Sequence, residues 1–340
     1  MTDPAAPIRV AIAYGFDSDT LATFRAVSPR LVFDVTERYG RTGVDSVVTP
    51  DTEAIIGSNL PSDPSQAPRL RWFQILSAGA EFILDGVGGR WPSAVTLTNA
   101  RGCYAGAIAQ FTLAAILRVA EKVDERTELQ RGGRWPDDND RYVGTLLRGQ
   151  TLVIVGYGGI GREIGRLAAA FGLRVIAVKA RPELRHDTGY RLPGTGDPEG
   201  TIPERIVGVD GLGDAFAEAD FVSITLPISP GSRGVVSRAV LERLRPHAWL
   251  VNTGRGPVVD EDALTELLAA GRIGGAALDV FGEEPLPESS PLWRLPNVVV
   301  TPHISGSSGT LEHRQLIAEN LRRFVVGEPL INVVDPVRGY

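Results

Sequence analysis

The chain has one cysteine, Cys103, in 340 residues. It can form no internal disulfide and no thiolate zinc site. No histidine accompanies it in sequence, so it reads as a small hinge residue rather than a nucleophile. Only four histidines occur, and no pair has the spacing and acidic company of a metal site. His186, His247 and His313 read as surface or structural residues. Long apolar runs are also missing. TLVIVG and AWLVN are too short to span a bilayer. The opening MTDPAAPIRVAIAYG lacks the basic stretch and apolar run of a secretory signal, so a cytoplasmic location is expected. Positive charge is not in excess. A net charge of −6 argues against a nucleic-acid or anionic-membrane partner, while leaving room for a locally basic pocket.

The length exceeds what one core usually supports, so two domains are expected. IRVAIAYG, TEAIIGSN, LRWFQILSAGAE and AVTLTNARG read as strands near the N-terminus. AGAIAQFTLAAILRVAEKVDERTELQ reads as one long helix ended by Gly132 and Gly133. From Thr151 a second series begins, with TLVIVG, RVIAV, FVSITL, AWLVNTG, GGAALDV and NVVVTPH as six buried strands. Continuous rather than alternating apolar runs suit parallel sheets covered on both faces. The Gly- and Pro-rich stretch 186–211 reads as a long loop of the second domain. The amphipathic GTLEHRQLIAENLRRFVV is expected to fold back onto the N-terminal domain.

TLVIVGYGGIGREIG sets Gly156, Gly158 and Gly161 in a G-x-G-x-x-G arrangement directly after a strand and at the start of a helix. That context marks a dinucleotide-binding turn. The first glycine permits the turn, the second the approach of a pyrophosphate, and the third close helix–strand packing. An acidic side chain is missing where the second strand ends. Lys179 and Arg181 stand where Asp or Glu would bind the ribose of NAD. Two cations there favour the 2′-phosphate of NADP, with NAD still possible.

Ligands of such sheets sit outside the carboxyl ends of the strands. Arg255 follows one strand, Glu284 another and His303 a third. A forked cation can bind the carboxylate and carbonyl of a 2-keto acid. A histidine can supply the proton as hydride reaches carbon. A carboxylate beside the imidazole orients it and favours its charged form. Each residue taken singly could equally be a surface charge or a strand-end cap.

VNTGRGPVVDEDAL, GGAALDVFGEEPLP and NVVVTPHISG, together with the glycine loop, resemble the NAD(P)-dependent D-isomer-specific 2-hydroxyacid dehydrogenases. The resemblance covers most of the chain and is nearest to the NADP-preferring, glyoxylate/hydroxypyruvate reductase-like members. It implies a Rossmann-type doubly wound α/β coenzyme domain, 103–304. It also implies a smaller flavodoxin-like substrate domain built from 1–102 plus 305–340, with closure about hinges near 102 and 305. The implied catalytic residues are Arg255 for substrate, Glu284 as partner and His303 as acid/base. The backbone amides of Ala78 and Gly79 hold the substrate carboxylate. Gly156, Tyr157, Gly158, Gly159, Ile160, Gly161, Lys179, Arg181, Leu226, Pro227, Thr253, Asp279 and His303 meet the cofactor, Asp279 through the nicotinamide carboxamide. A homodimer joined through the coenzyme domain is expected. Arg101 and Tyr104 depart from the family's usual Pro and Asn, so no particular substrate is carried over. A formate- or phosphite-oxidising enzyme and a nicotinamide-sensing protein with little turnover are the alternatives. A formate enzyme of this family would pair its histidine with an amide, and Glu284 argues against that.

Overall fold

The computed structural model describes residues 6–88, 91–306 and 310–336. The chain divides into two compact units. One takes Met1–Tyr104, Gly189–Leu192 and Gly309–Tyr340, the other Ala105–Thr188 and Pro193–Ser308.

In the first unit, β1 (Ile8–Ala13), α1 (Ser18–Ala26), β2 (Leu31–Thr36), α2 (Gly40–Asp45), β3 (Thr52–Gly57), β4 (Trp72–Ile75), α3 (Glu81–Gly86) and β5 (Thr96–Thr98) follow in chain order. The sheet is parallel, in the order β2-β1-β3-β4-β5, which is the flavodoxin-like doubly wound arrangement. The sequence pattern does not predict β2. It is an edge strand, mostly half-exposed, and lacks the continuous apolar run of its neighbours.

The second unit opens with two helices, α4 (Ala105–Ala120) and α5 (Val123–Arg131), where the sequence pattern predicts one. A long-range contact marks the break. The Ala120 carbonyl accepts from the Thr145 amide at 2.8 Å, and Lys122 turns into the left-handed region at φ 48°. Then come β6 (Thr151–Val155), α6 (Gly159–Ala170), β7 (Arg174–Val178), β8 (Arg205–Val207), α7 (Leu212–Glu218), β9 (Phe221–Ile224), α8 (Arg238–Leu241), β10 (Trp249–Asn252), α9 (Glu261–Ala269), β11 (Gly275–Leu278) and β12 (Val298–Val300). All seven strands are parallel, in the order β12-β11-β10-β9-β6-β7-β8, so the order reverses between β6 and β9. The register is flush. Val155 pairs with Val178 and Ile224, Ile224 with Asn252, Asn252 with Leu278, and Leu278 with Val300. The residues just past each strand therefore emerge along one sheet edge.

The last helix, α10 (Thr310–Val326), belongs to the first unit. Its Ile317 and Leu321 pack with the β1 and β3 side chains Val10, Ile12, Ala54 and Ile56. A buried polar chain pins it further. Asn320 donates to the Gln74 amide oxygen at 3.0 Å, Thr98 to the same oxygen at 2.9 Å, and the Trp72 indole to Thr98 at 2.8 Å.

The stretch 186–211 is not one plain loop of the second unit. Gly189–Leu192 belongs to the first unit, and Arg205–Val207 forms β8. The half-buried, three-residue β8 is too short for its pattern to stand out from its Gly- and Pro-rich neighbours. Asp197 organises the intervening chain. Although buried, its carboxylate accepts from the Tyr157 hydroxyl at 2.8 Å and from the Thr201 and Ile202 amides at 3.0 and 3.1 Å. Arg162 of α6, 2% exposed, donates to the carbonyls of Asp197 and Arg185 and lies 5.1 Å over the Tyr157 ring. Replacing Asp197 by Ala orphans three donors, and stability should fall by about 3 kcal/mol. Urea unfolding measures the loss. Limited proteolysis between 186 and 202 should accelerate in parallel.

Candidate active site

At the reversal of strand order, the glycine loop passes from β6 into α6. A Cβ on Gly161 would lie 2.2 Å from the Gly156 carbonyl oxygen, so only glycine lets helix and turn approach this closely. Gly158 differs. A Cβ there would enter open space, with no protein atom within 4 Å. It caps α6 without a side-chain hydrogen bond, so the first amides of the helix face that space. An uncapped helix start beside an open cradle fits a pyrophosphate. The Tyr157 side chain is buried and tied to Asp197, so this residue can meet a ligand only through its backbone. Thr225 fixes the loop from the next strand end, donating to the Gly156 carbonyl at 2.7 Å. Leu226 lies against Gly156 and Gly254, Pro227 is exposed, and Thr253 is buried with its amide on the Ile224 carbonyl at 3.1 Å.

Lys179 follows β7 directly. Its amide donates to the Val207 carbonyl at 3.0 Å, and its ammonium donates to the Leu184 carbonyl. Burial, then the nearby Arg162 guanidinium, holds its pKa below the ordinary lysine range, with Arg181 adding to the effect. Asp187 and Glu183 pull the other way. Arg181 is exposed.

Arg255, Glu284 and His303 are carried by the next three connections along this edge. Glu284 accepts from the Phe281 amide at 3.0 Å with one oxygen, and its other oxygen lies 2.8 Å from the Nδ1 of His303. That contact directs Nε2 away from the carboxylate. His303 is solvent-facing and adopts φ 54°, a left-handed conformation uncommon for residues other than glycine. The half-buried Arg255 donates to the Gly254 carbonyl at 2.9 Å. The next residue is Gly256, where a Cβ would fall 1.9 Å from the carbonyl carbon of Phe281. The turn bearing Arg255 is thus seated on the turn bearing Glu284.

The sequence assigns Asp279 no structural part. It is 0% exposed, and its carboxylate accepts from the Thr301 hydroxyl at 2.6 Å and from the Ile304 and Ser305 amides at 2.9 and 3.0 Å. The His303 amide donates to the Asp279 carbonyl at 2.9 Å. An acidic residue ending an apolar run is the available signal. The donors that meet it lie more than twenty residues on and leave no local mark.

Ala78 and Gly79 lie in the first unit, half-buried between β4 and α3, and their amides donate to no acceptor among the described residues. Cys103 is buried, and burial pushes its thiol up, so it is inert as a nucleophile. His186 and His247 are exposed beside Glu199 and Asp220, and His313 is buried. Among the described residues no His, Cys, Asp and Glu cluster could hold a metal, and no helix is long and apolar enough to cross a membrane.

Comparison with known proteins identifies the family. Residues 113–305 match the NAD binding domain of D-isomer specific 2-hydroxyacid dehydrogenases. A glyoxylate/hydroxypyruvate reductase B of Pectobacterium carotovorum is 36% identical over 89% of the chain and 92% of that protein. The crystal structure of a D-isomer specific 2-hydroxyacid dehydrogenase from Xanthobacter autotrophicus, in complex with NADPH and MES, is 29% identical. It superimposes with a TM-score of 0.77 over 99% of this chain and all of that one. An NADPH-dependent glyoxylate/hydroxypyruvate reductase from Sinorhizobium meliloti, in complex with NADP and sulfate, is 25% identical with a TM-score of 0.75, over 98% of this chain and all of that one. The chain belongs to the D-isomer specific 2-hydroxyacid dehydrogenase family.

Proposed function

We propose that this enzyme reduces a small 2-keto acid, of the size of glyoxylate or hydroxypyruvate, to the D-2-hydroxy acid with NADPH. The observation that carries the reading is the His303–Glu284 pair at 2.8 Å, on the same sheet edge as Arg255 and the glycine loop. NADPH, when bound, supplies hydride to the carbonyl carbon. The amides at the start of α6, 158–161, would hold its pyrophosphate, Lys179 and Arg181 its 2′-phosphate, and Leu226, Pro227 and Thr253 would line its path. Asp279 stands at the nicotinamide end. Arg255 neutralises the substrate carboxylate and polarises the carbonyl. Within the first unit, the Ala78 and Gly79 amides are the donors proposed for a carboxylate. As the carbonyl π pair moves onto oxygen, that oxygen takes the proton from Nε2 of His303. Glu284 holds the resulting imidazole in register through Nδ1 and stabilises the imidazolium that must re-form. The NADP preference is supported by the cations at the end of β7 and by the NADPH- and NADP-bound relatives. We also take the enzyme to be a cytoplasmic homodimer. The exposed Val123, Trp135, Val143 and Leu146 on and after α5 are apolar surface that a second copy would cover.

His303→Ala should lower kcat about a thousandfold while leaving NADPH affinity within a factor of two. An unchanged rate would remove the acid/base role. Tight NADPH binding by a wild-type protein that turns over no 2-keto acid would favour a sensor instead. Lys179→Asp combined with Arg181→Ala should reduce the NADPH over NADH preference by at least about tenfold. The same preference should shrink for the wild type as pH rises. Lys179 sits below the ordinary lysine range, so it loses its charge at lower pH than a free lysine. NADH, without the phosphate, does not respond. A ratio that is flat with pH and unmoved by the double substitution would overturn the phosphate assignment. Light scattering should return the mass of two chains, and Trp135→Glu with Leu146→Glu should return one.

A further inference from the structure

We infer that Tyr104 and His313 are positioning residues for the amide turn at 76–79, and that they set the affinity for the substrate carboxylate. The inference rests on the proposed carboxylate-binding role of Ala78 and Gly79. A peptide turn binds an anion only when its N–H groups converge and its carbonyls are turned away, because a carbonyl dipole facing a carboxylate repels it. In this turn all four successive carbonyls are tied back. The Ser77 carbonyl accepts from the Ala100 amide at 2.9 Å, and the Ala78 carbonyl from the Asn99 side chain at 2.8 Å. The Gly79 carbonyl accepts from the Ser77 hydroxyl at 2.6 Å. The Leu76 carbonyl accepts twice, from the Tyr104 hydroxyl at 2.5 Å and from Nε2 of His313 at 3.0 Å.

The double contact at Leu76 is the distinctive one. Leu76 is the first residue after β4, so the plane of its peptide sets the direction in which the turn leaves the sheet. A carbonyl has two lone pairs, and here both are engaged by donors from separate segments, one ahead of α4 and one on α10. The chemistry leaves the roles unambiguous. A peptide oxygen only accepts, so Nε2 of His313 carries hydrogen. Burial pushes the Tyr104 phenol well above its ordinary range, so its hydroxyl keeps its proton. The two rings meet edge to face, centroids 4.8 Å apart and planes at 78°, and each fixes the other's orientation. Behind them a small core of Ala100, Cys103, Leu316 and Tyr190 closes the cluster, with the Tyr190 hydroxyl on the Glu312 carbonyl at 3.1 Å. Gly189–Leu192 therefore joins the first unit by backing this cluster.

The test measures steady-state glyoxylate reduction together with NADPH affinity by fluorescence, for Tyr104→Phe, His313→Leu, His313→Gln and the Tyr104→Phe/His313→Leu double variant. Tyr104→Phe keeps the ring and its packing and removes only the donor. It and His313→Leu should each raise the KM for glyoxylate about fivefold to tenfold, with kcat and NADPH affinity within twofold. The double variant should raise it further. His313→Gln returns an N–H donor and should recover most of the affinity. A merely structural role would lower Tm without moving KM selectively, and that result overturns the inference. So does an unchanged KM in the soluble Tyr104→Phe variant, whatever becomes of the His313 variants. If the wild-type enzyme turned over no 2-keto acid, the proposed function would fall first and this inference with it. An active wild type with unmoved variants defeats the inference alone.

Discussion

A carboxylate sealed from solvent governs the reactive edge of this enzyme. Burying an unpaired Asp279 would be very costly, and three hydrogen bonds from Thr301, Ile304 and Ser305 offset the cost. Those donors belong to the turn that carries His303. The turn cannot relax without stranding a buried charge, which explains how His303 is kept in a left-handed conformation costing on the order of 1 kcal/mol or more. Glu284 restrains the ring from the other side, itself held by the Phe281 amide. Phe281 is also the residue on which Gly256 allows the Arg255 turn to rest. The three polar side chains are thus linked through backbone, and displacing one turn displaces its neighbour.

The same logic, a side chain committed to protein so that backbone is presented outward, recurs at the glycine loop and at the 76–79 turn. Tyr157 is turned inward to Asp197, and Gly158, which has no side chain, leaves the start of α6 uncapped and its amides open. At Leu76 the donors come from Tyr104 and His313, and the amides of Ala78 and Gly79 meet no acceptor among the described residues. Backbone amides are well suited to anions because they cannot swing away as a lysine can. Their weakness is that direction depends wholly on the chain's path, so it rests on the residues that fix the path.

Six of the second unit's strands were legible because they are continuous apolar runs with no alternation, and the residues proposed for the chemistry stand just past three of them. Arg255, Glu284 and His303 could be gathered on one edge from parallel order alone, and the flush register places them there. Two of the four edge strands were not legible, β2 and β8, whereas the edges β5 and β12 were. Asp34 interrupts the apolar run of β2, and β8 is three residues that open on Arg205. The break between α4 and α5 depends on one carbonyl taken by Thr145, a contact far away in sequence. His313 read as structural or surface, and its buried place on the Leu76 carbonyl needs a fold in which residues 237 apart in sequence become neighbours. Residues whose effect comes from their own charge at a strand end can be found by counting. Residues that act by holding a distant backbone group cannot.

The end of β7 shows how little the overall charge says about a site. The chain carries a net −6, yet burial first, and then repulsion from Arg162 and Arg181, depress the Lys179 pKa. Asp187 and Glu183 offset part of that repulsion, and screening to roughly 8 Å at physiological ionic strength keeps more remote carboxylates from adding to it. Nor can the cluster disperse. Arg162 is locked beneath the loop by the carbonyls of Asp197 and Arg185, and Lys179 is held to the Leu184 carbonyl. Folding therefore accepts a local excess of positive charge that an external anion can neutralise. A cofactor with a phosphate at that position gains what the free protein forgoes, and one with a bare hydroxyl does not. Preference between two nearly identical dinucleotides can arise in this way from repulsion within the free protein as much as from contacts in the bound one.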